Sequence, residues 1–161
     1  MTMSSTLHIT TPSDREIAMT RVFDAPRALV FDAFTKPELV RRWLTGPDGW
    51  AFAVCDIDLR AGGKYRYVWR KAGVPDMGMG GEFREVVPPE RVVWTFEYVP
   101  LPGHISVETM TLAERDGRTL LTVRDQFSSK EDLEGMVNSG MESGARESYE
   151  RLDELIAELN T

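Results

Sequence analysis

Two acidic residues stand where strand alternation puts apolar neighbours: Glu108 shares parity with Met110 and Leu112, and Asp125 with Leu121, Val123 and Phe127. A carboxylate in such company is costly to bury without a partner, so each belongs to a rim, a structural pair or a site that uses a raised acid. Together with Tyr67, either could act as general acid or base in a dry cavity. Other chemistry is thinly provided. A nucleophilic triad needs a histidine beside its nucleophile. There are 2 histidines, His8 in a polar N-terminal stretch and His104 in the turn region Pro100 to Gly103, and both read as solvated loop residues. The 1 cysteine, Cys55 in AFAVCDIDL, reads as a small buried hydrophobe that cannot form an internal disulfide. Nothing resembles the H-E-x-x-H spacing, so neither a metal nor any other cofactor is expected.

The glycine-rich stretch MGMGGEF opens a strand rather than a helix, which argues against a dinucleotide-binding loop. It is expected to be a flexible hairpin loop with Met77 and Met79 near its tip, placed where it could act as a lid. The aromatics are more informative. Tyr65, Tyr67 and Trp69 share one face by alternation, Trp94, Phe96 and Tyr98 share another, and Phe83 lies on the strand between. The last helical stretch answers them with Gly140, Gly144, Ala145 and Ser148, which means either close packing or free volume. Taken as free volume, they predict a pocket lined by Trp43, Tyr67, Trp69, Phe83, Trp94, Phe96, Glu108, Met110, Met136, Met141 and Gly144. A register slip of one residue would turn a whole strand's set outward.

The elements that must position these residues follow from periodicity. Residues 1–14 are expected to be a loose tail, with structure starting near Arg15 and one domain running from 15 to 161. Ile17, Met19 and Phe23 alternate in a first strand, and Pro26 suits the start of a helix carrying Leu29, Val30, Ala33 and Phe34. Thr35 and Glu38 have capping-box spacing for a second short helix through Val40 and Trp43. Six further strands are expected near 52–60, 63–71, 81–87, 91–99, 105–115 and 118–127, separated by Gly, Pro and Asp-Gly signals. Connections this short make the sheet antiparallel. Asp58 with Arg60, and Glu85 with Arg91, are expected to pin its strands and turns. From a Ser129 cap onward, apolar or small residues recur at helical spacing to residue 159, with Gly140 as a point of kinking. The result is an α+β fold: a curved seven-stranded antiparallel sheet wrapped around a long C-terminal helix, with two short helices after strand one.

The segments FDAPRALVFDAFTKPELVRRWL, DIDLRAGGKYRY, GEFREVVPPERVVWTF, DGRTLLTV and GMESGARESYERLDEL, in that order, resemble the signature segments of a known family. It is the family related to the C-terminal domain of the heat-shock protein 90 ATPase activator, within the START-like (SRPBCC) superfamily that also includes polyketide cyclases and the birch pollen allergen fold. The resemblance covers roughly residues 15 to 159. It implies the helix-grip fold, a pocket between sheet and long helix whose ligand varies among members, and, for some members, a chaperone partner.

Lys+Arg of 19 against Asp+Glu of 26 gives a net charge of -7, a field that repels nucleic acid and anionic membranes. The N-terminal stretch lacks the regions of a signal peptide, and a cytoplasmic protein, monomer or homodimer, is expected. Its expected partner is a small hydrophobic or aromatic molecule. A chaperone, or a substrate turned over by the pocket carboxylates, would be the alternatives.

Overall fold

The computed structural model describes residues 6–99 and 101–161. Eight strands form one antiparallel sheet in the order β1-β2-β8-β7-β6-β5-β4-β3. They are β1 (His8–Ser13), β2 (Glu16–Phe23), β3 (Ala51–Ile57), β4 (Lys64–Arg70), β5 (Met77–Val87), β6 (Arg91–Tyr98), β7 (Ile105–Arg115) and β8 (Arg118–Gln126). Helices α1 (Arg27–Thr35) and α2 (Pro37–Trp43) follow β2, and α3 (Lys130–Asn138) and α4 (Met141–Leu159) close the chain. The α+β helix-grip architecture expected from the sequence is therefore present, with one strand more than the seven expected.

The additional strand is β1, which lies inside the stretch expected to be a loose tail; residues 1–5 of that stretch, and Pro100, lie outside the described residues. It pairs antiparallel with β2, His8 opposite Thr20 and Ile9 opposite Met19, and covers backbone groups that β2 would otherwise leave at an edge. Pro12 is tolerated there because an edge strand has a solvent side that needs no donor. The local signal was short, Leu7 and Ile9 alternating with polar residues. Leu7 is buried, and its carbonyl accepts a 2.8 Å hydrogen bond from Arg146 of α4.

Residues 77–81 are not a hairpin loop or lid: they are the first half of β5, paired with β4 from Met77–Trp69 to Gly81–Tyr65. The glycines are there because neighbouring backbone leaves no room for a side chain. A Cβ on Gly81 would stand 2.0 Å from the Thr95 carbonyl oxygen, and one on Gly80 2.7 Å from that of Tyr65. Such close approach accompanies the sharp bending of a strand. Thr35, expected to cap α2, instead donates its buried hydroxyl to the Phe31 carbonyl at 2.7 Å, and α2 begins at Pro37 with no side-chain cap. The Ser129 cap is present, its Oγ accepting from the Asp132 amide at 3.1 Å. The single helix expected from there, with Gly140 as its point of kinking, is divided into two at that residue. Gly140 takes φ 84°, a left-handed conformation that glycine adopts without strain, and the chain turns between α3 and α4.

The core lies between the concave face of the sheet and α4. Tyr149, Leu152, Leu155 and Ile156 of α4 are buried against Phe23, Val92, Met110, Leu112 and Leu121 of the sheet and against α1 and α2. A separate small cluster joins Leu133 of α3 to Ile17 and Phe127. Leu152 has no exposed surface, so Leu152→Ala is expected to cost about 2–5 kcal/mol through lost transfer energy and a residual cavity. The denaturant midpoint measures this, and a loss under about 1 kcal/mol would contradict the packing of α4 described here.

Candidate functional site

The stripe of α4 changes size along its length. Its C-terminal half presents Tyr149, Leu152 and Leu155, which fill the space above the sheet. Its N-terminal half presents Gly144, Ala145 and Ser148, which do not. A cavity of about 300 Å³ remains under that half, between β4–β8, α2 and the start of α4. Gly144 is exposed and lines it, so the cavity reaches the surface there; a Cβ on Gly144 would meet no atom within 4 Å.

Nine of the eleven residues singled out from the sequence surround this space: Trp43, Tyr67, Phe83, Trp94, Phe96, Glu108, Met110, Met141 and Gly144. Trp69 and Met136 do not. Trp69 shares the face of Tyr67, but the segment after α2 covers it: its Nε1 donates to the Leu44 carbonyl at 3.1 Å, its ring lies 4.7 Å from Phe52, and Gly46 packs on its edge. Alternation chooses a strand's face, not what lies over each end of it. Met136 belongs to α3, and the turn at Gly140 points its side of the chain to Ile17, Phe127 and Leu133 instead.

Other lining residues were not in the expected set, among them Tyr149, Tyr65, Met79 and Phe34. Tyr149 was legible as a stripe position of the C-terminal helix, and its ring ties the site together. It lies 6.0 Å from Trp43, 6.2 Å from Phe34 and 6.1 Å from Phe23, in edge-on or tilted contacts that favour aromatic pairs. Trp43 is held from behind by its Nε1 donating to the Ala33 carbonyl at 2.8 Å, and Tyr65 by its hydroxyl donating to the Thr95 carbonyl at 2.7 Å. The walls are thus positioned by the backbone they touch. The hydroxyls of Tyr67 and Tyr149 make no hydrogen bond to another described residue.

The floor carries one acid, Glu108, with a second, Asp125, opposite it on the next strand. Glu108 sits opposite Trp94 on β6 and opposite Asp125 on β8. Burial raises the carboxyl of Glu108 well above its ordinary value, and the charge of Asp125 raises it further. Burial likewise pushes Asp125 up to about 6, with the Ser106 hydroxyl beside it pulling the other way. Neither Asp125 Oδ1 nor Ser106 Oγ lies in hydrogen-bonding geometry with a partner. Burial also raises the phenols of Tyr65, Tyr67 and Tyr149, each with a further contribution from Glu108, so they stay neutral at ordinary pH.

The remaining chemical candidates lie elsewhere. Cys55 is buried on β3 with its thiol pushed up to about 11 by burial, the opposite of a reactive thiolate. His8 is exposed on β1, and His104 Nδ1 lies 2.7 Å from Asp132 Oδ1, tying the loop before β7 to α3. Asp58–Arg60 at 2.9 Å and Glu85–Arg91 at 3.1 Å are ion pairs on exposed side chains. No group of three or more His, Cys, Asp or Glu among the described residues could hold a metal ion.

A curved antiparallel sheet closed over a C-terminal helix, with an aromatic-walled cavity between them, defines a helix-grip protein of the START-like kind. The chain belongs to the family described as activator of Hsp90 ATPase homolog 1-like protein, whose model matches residues 24–157. Among solved structures, a Rhodobacter sphaeroides protein is 26% identical with a TM-score of 0.86, over 94% of this chain and 98% of that one. A Chromobacterium violaceum protein is 26% identical with a TM-score of 0.75, over 89% and 98%. The CalU16 protein of Micromonospora echinospora is 26% identical with a TM-score of 0.61, over 93% and 83%. No curated protein matches the sequence. Among the described residues, no helix is long and apolar enough to cross a membrane.

The raised acids have a consequence for stability. With carboxyl pKa values higher in the folded than in the unfolded chain, the native state binds more protons, so stability falls as pH rises. The fall begins near about pH 4, where unfolded carboxyls ionise, and continues through about 6 for Asp125, with Glu108 contributing in the same direction. Glu108→Gln removes its share of this. Thermal melts are expected to show the variant gaining on the parent at pH 8 and not at pH 4; parallel pH profiles would contradict a raised Glu108 carboxyl.

Proposed function

We propose that the protein is a cytoplasmic carrier or sensor of a small apolar or aromatic molecule, bound in the cavity between the sheet and α4. The observation that supports this reading is the cavity itself. It is walled by aromatic and methionine side chains, contains few polar atoms, and opens beside a glycine whose side is empty. At about 300 Å³ it suits a ligand of one or two rings. The aromatic walls supply contact area, and Glu108 with the Tyr67 and Tyr149 hydroxyls supplies orientation. Native mass spectrometry of freshly purified protein tests the reading directly by looking for a retained small molecule.

Family membership supports a second reading, in which the domain binds a heat-shock chaperone and stimulates its ATPase. Stimulation of chaperone ATPase by the ligand-free domain would favour that role. Turnover of a bound ligand would instead make Glu108 and Tyr67 the acid and base of an enzyme.

Gly144→Leu is expected to leave the domain folded, because α4 accepts leucine and no atom blocks the new side chain. The leucine should lodge in the cavity mouth and weaken ligand binding by about tenfold or more, read by tryptophan fluorescence titration with a thermal melt as control. The double variant His8→Ala with His104→Ala should bind as the parent does. Unchanged binding by a folded Gly144→Leu would place the ligand elsewhere.

A further inference from the structure

The cavity is lined by one carboxyl, Glu108, with Asp125 opposite it on the next strand, and by no cation. Glu108 and Asp125 face each other across β7 and β8, and among the described residues no Lys, Arg or His makes an ion pair with either. Arg21 reaches the same side of the sheet from β2, but its guanidinium is engaged by Asp153 of α4 and lies 5.1 Å above the Phe23 ring. Asp125 and Ser106 are 8% and 3% exposed, and Asp125 Oδ1 and Ser106 Oγ have no partner. Glu108, half-buried at the cavity with no cation beside it and a second acid opposite, is best satisfied by a donor that carries positive charge.

The walls make the same demand. Tyr67, Phe83, Trp94, Phe96, Trp43 and Tyr149 surround the space above Glu108, and aromatic faces attract cations through their negative quadrupole. A wholly apolar ligand would leave Glu108 unpartnered, and an anionic one would set negative charge against it. An ammonium group satisfies both floor and walls. We propose that the cavity takes a small aromatic or alkyl amine in its ammonium form, the charge seated at Glu108 and the apolar body extending toward Met141 and Gly144. This rests on the cavity being the binding site.

Binding of this kind is linked to protons. A raised carboxyl holds its proton more tightly, and an arriving ammonium favours its ionised form and so competes with that proton. The titratable and charged groups facing Glu108 are Asp125 of β8, Tyr65 and Tyr67 of β4, and Tyr149 of α4, with Cys55 of β3 behind Tyr67 and the Arg21–Asp153 pair beyond Tyr149. The phenols and the thiol are held neutral by burial, so over pH 5 to 8 the acid pair is the group that changes charge against the ligand.

The test is calorimetric titration with three probes of one skeleton, 2-phenylethylamine, 2-phenylethanol and phenylacetate, using the full chain and Glu108→Gln. The amine is expected to bind about tenfold or more tighter than the alcohol at pH 8. That preference should shrink as the pH is lowered to 5, while the alcohol's affinity stays level. Glu108→Gln should lose the preference for the amine, its amine-to-alcohol affinity ratio falling to about one, with a melt confirming its fold; an unchanged ratio would overturn the seat at Glu108. Equal or tighter binding of the alcohol or the carboxylate at pH 8 would overturn the amine assignment and leave the cavity reading standing. Failure of all three probes to bind would overturn both.

Discussion

One apolar sheet face needs one long helix to cover it, and the docking of α4 meets that need. The buried residues Tyr149, Leu152, Leu155 and Ile156 sit at helical spacing and bring together strands from β2 to β8 with the two short helices. The rest of the arrangement follows from where that contact is tight and where it is not. Large side chains seat the C-terminal half of α4 firmly against the core. The small residues at 144, 145 and 148 leave the N-terminal half standing away from the sheet, and the cavity is the space so created. Interiors normally pack to crystal-like density. An interior void of this size that opens to the surface is thus a product of side-chain size along one helix.

The sheet must also bend to meet the helix. Close backbone approach at Gly80 and Gly81, and the register shift between Phe83 and Glu85, let β5 follow β4 and β6 around the curve. The same glycines that a loop would use for flexibility serve here to remove side chains from a crowded strand crossing. At the far end of the core, Gly140 divides α3 from α4, and α3 covers a small cluster at the β2–β8 side rather than the cavity.

The opposed acids of β7 and β8 work against stability. Glu108 and Asp125 are opposed on neighbouring strands inside a low-dielectric space, where each raises the cost of ionising the other. An apolar pair at these positions would pack without that cost. Of the two, Glu108 lines the cavity, and an acid that weakens the fold while facing a cavity is a common mark of a site shaped for a ligand.

Periodicity alone determined the fold class, the antiparallel order of the strands after the short helices, and the parity of Tyr67, Trp94, Phe96, Glu108 and Met110. Alternation and helical spacing are local properties, and they specify which side of an element is apolar. Short range also explains the misreadings. The β1 strand shows only Leu7 and Ile9 as signal, and its stability comes from pairing with β2, a partner that local sequence cannot display. The glycines of β5 look like a loop until the carbonyls of Thr95 and Tyr65 are seen beside them. Trp69 and Met136 carry the right residue type and the right parity, yet tertiary structure lays Leu44 over the first and turns the second away at Gly140. What only the tertiary structure decided is which apolar surfaces meet and which are held apart, because that depends on the sizes of side chains that are distant in the chain and brought opposite one another by folding.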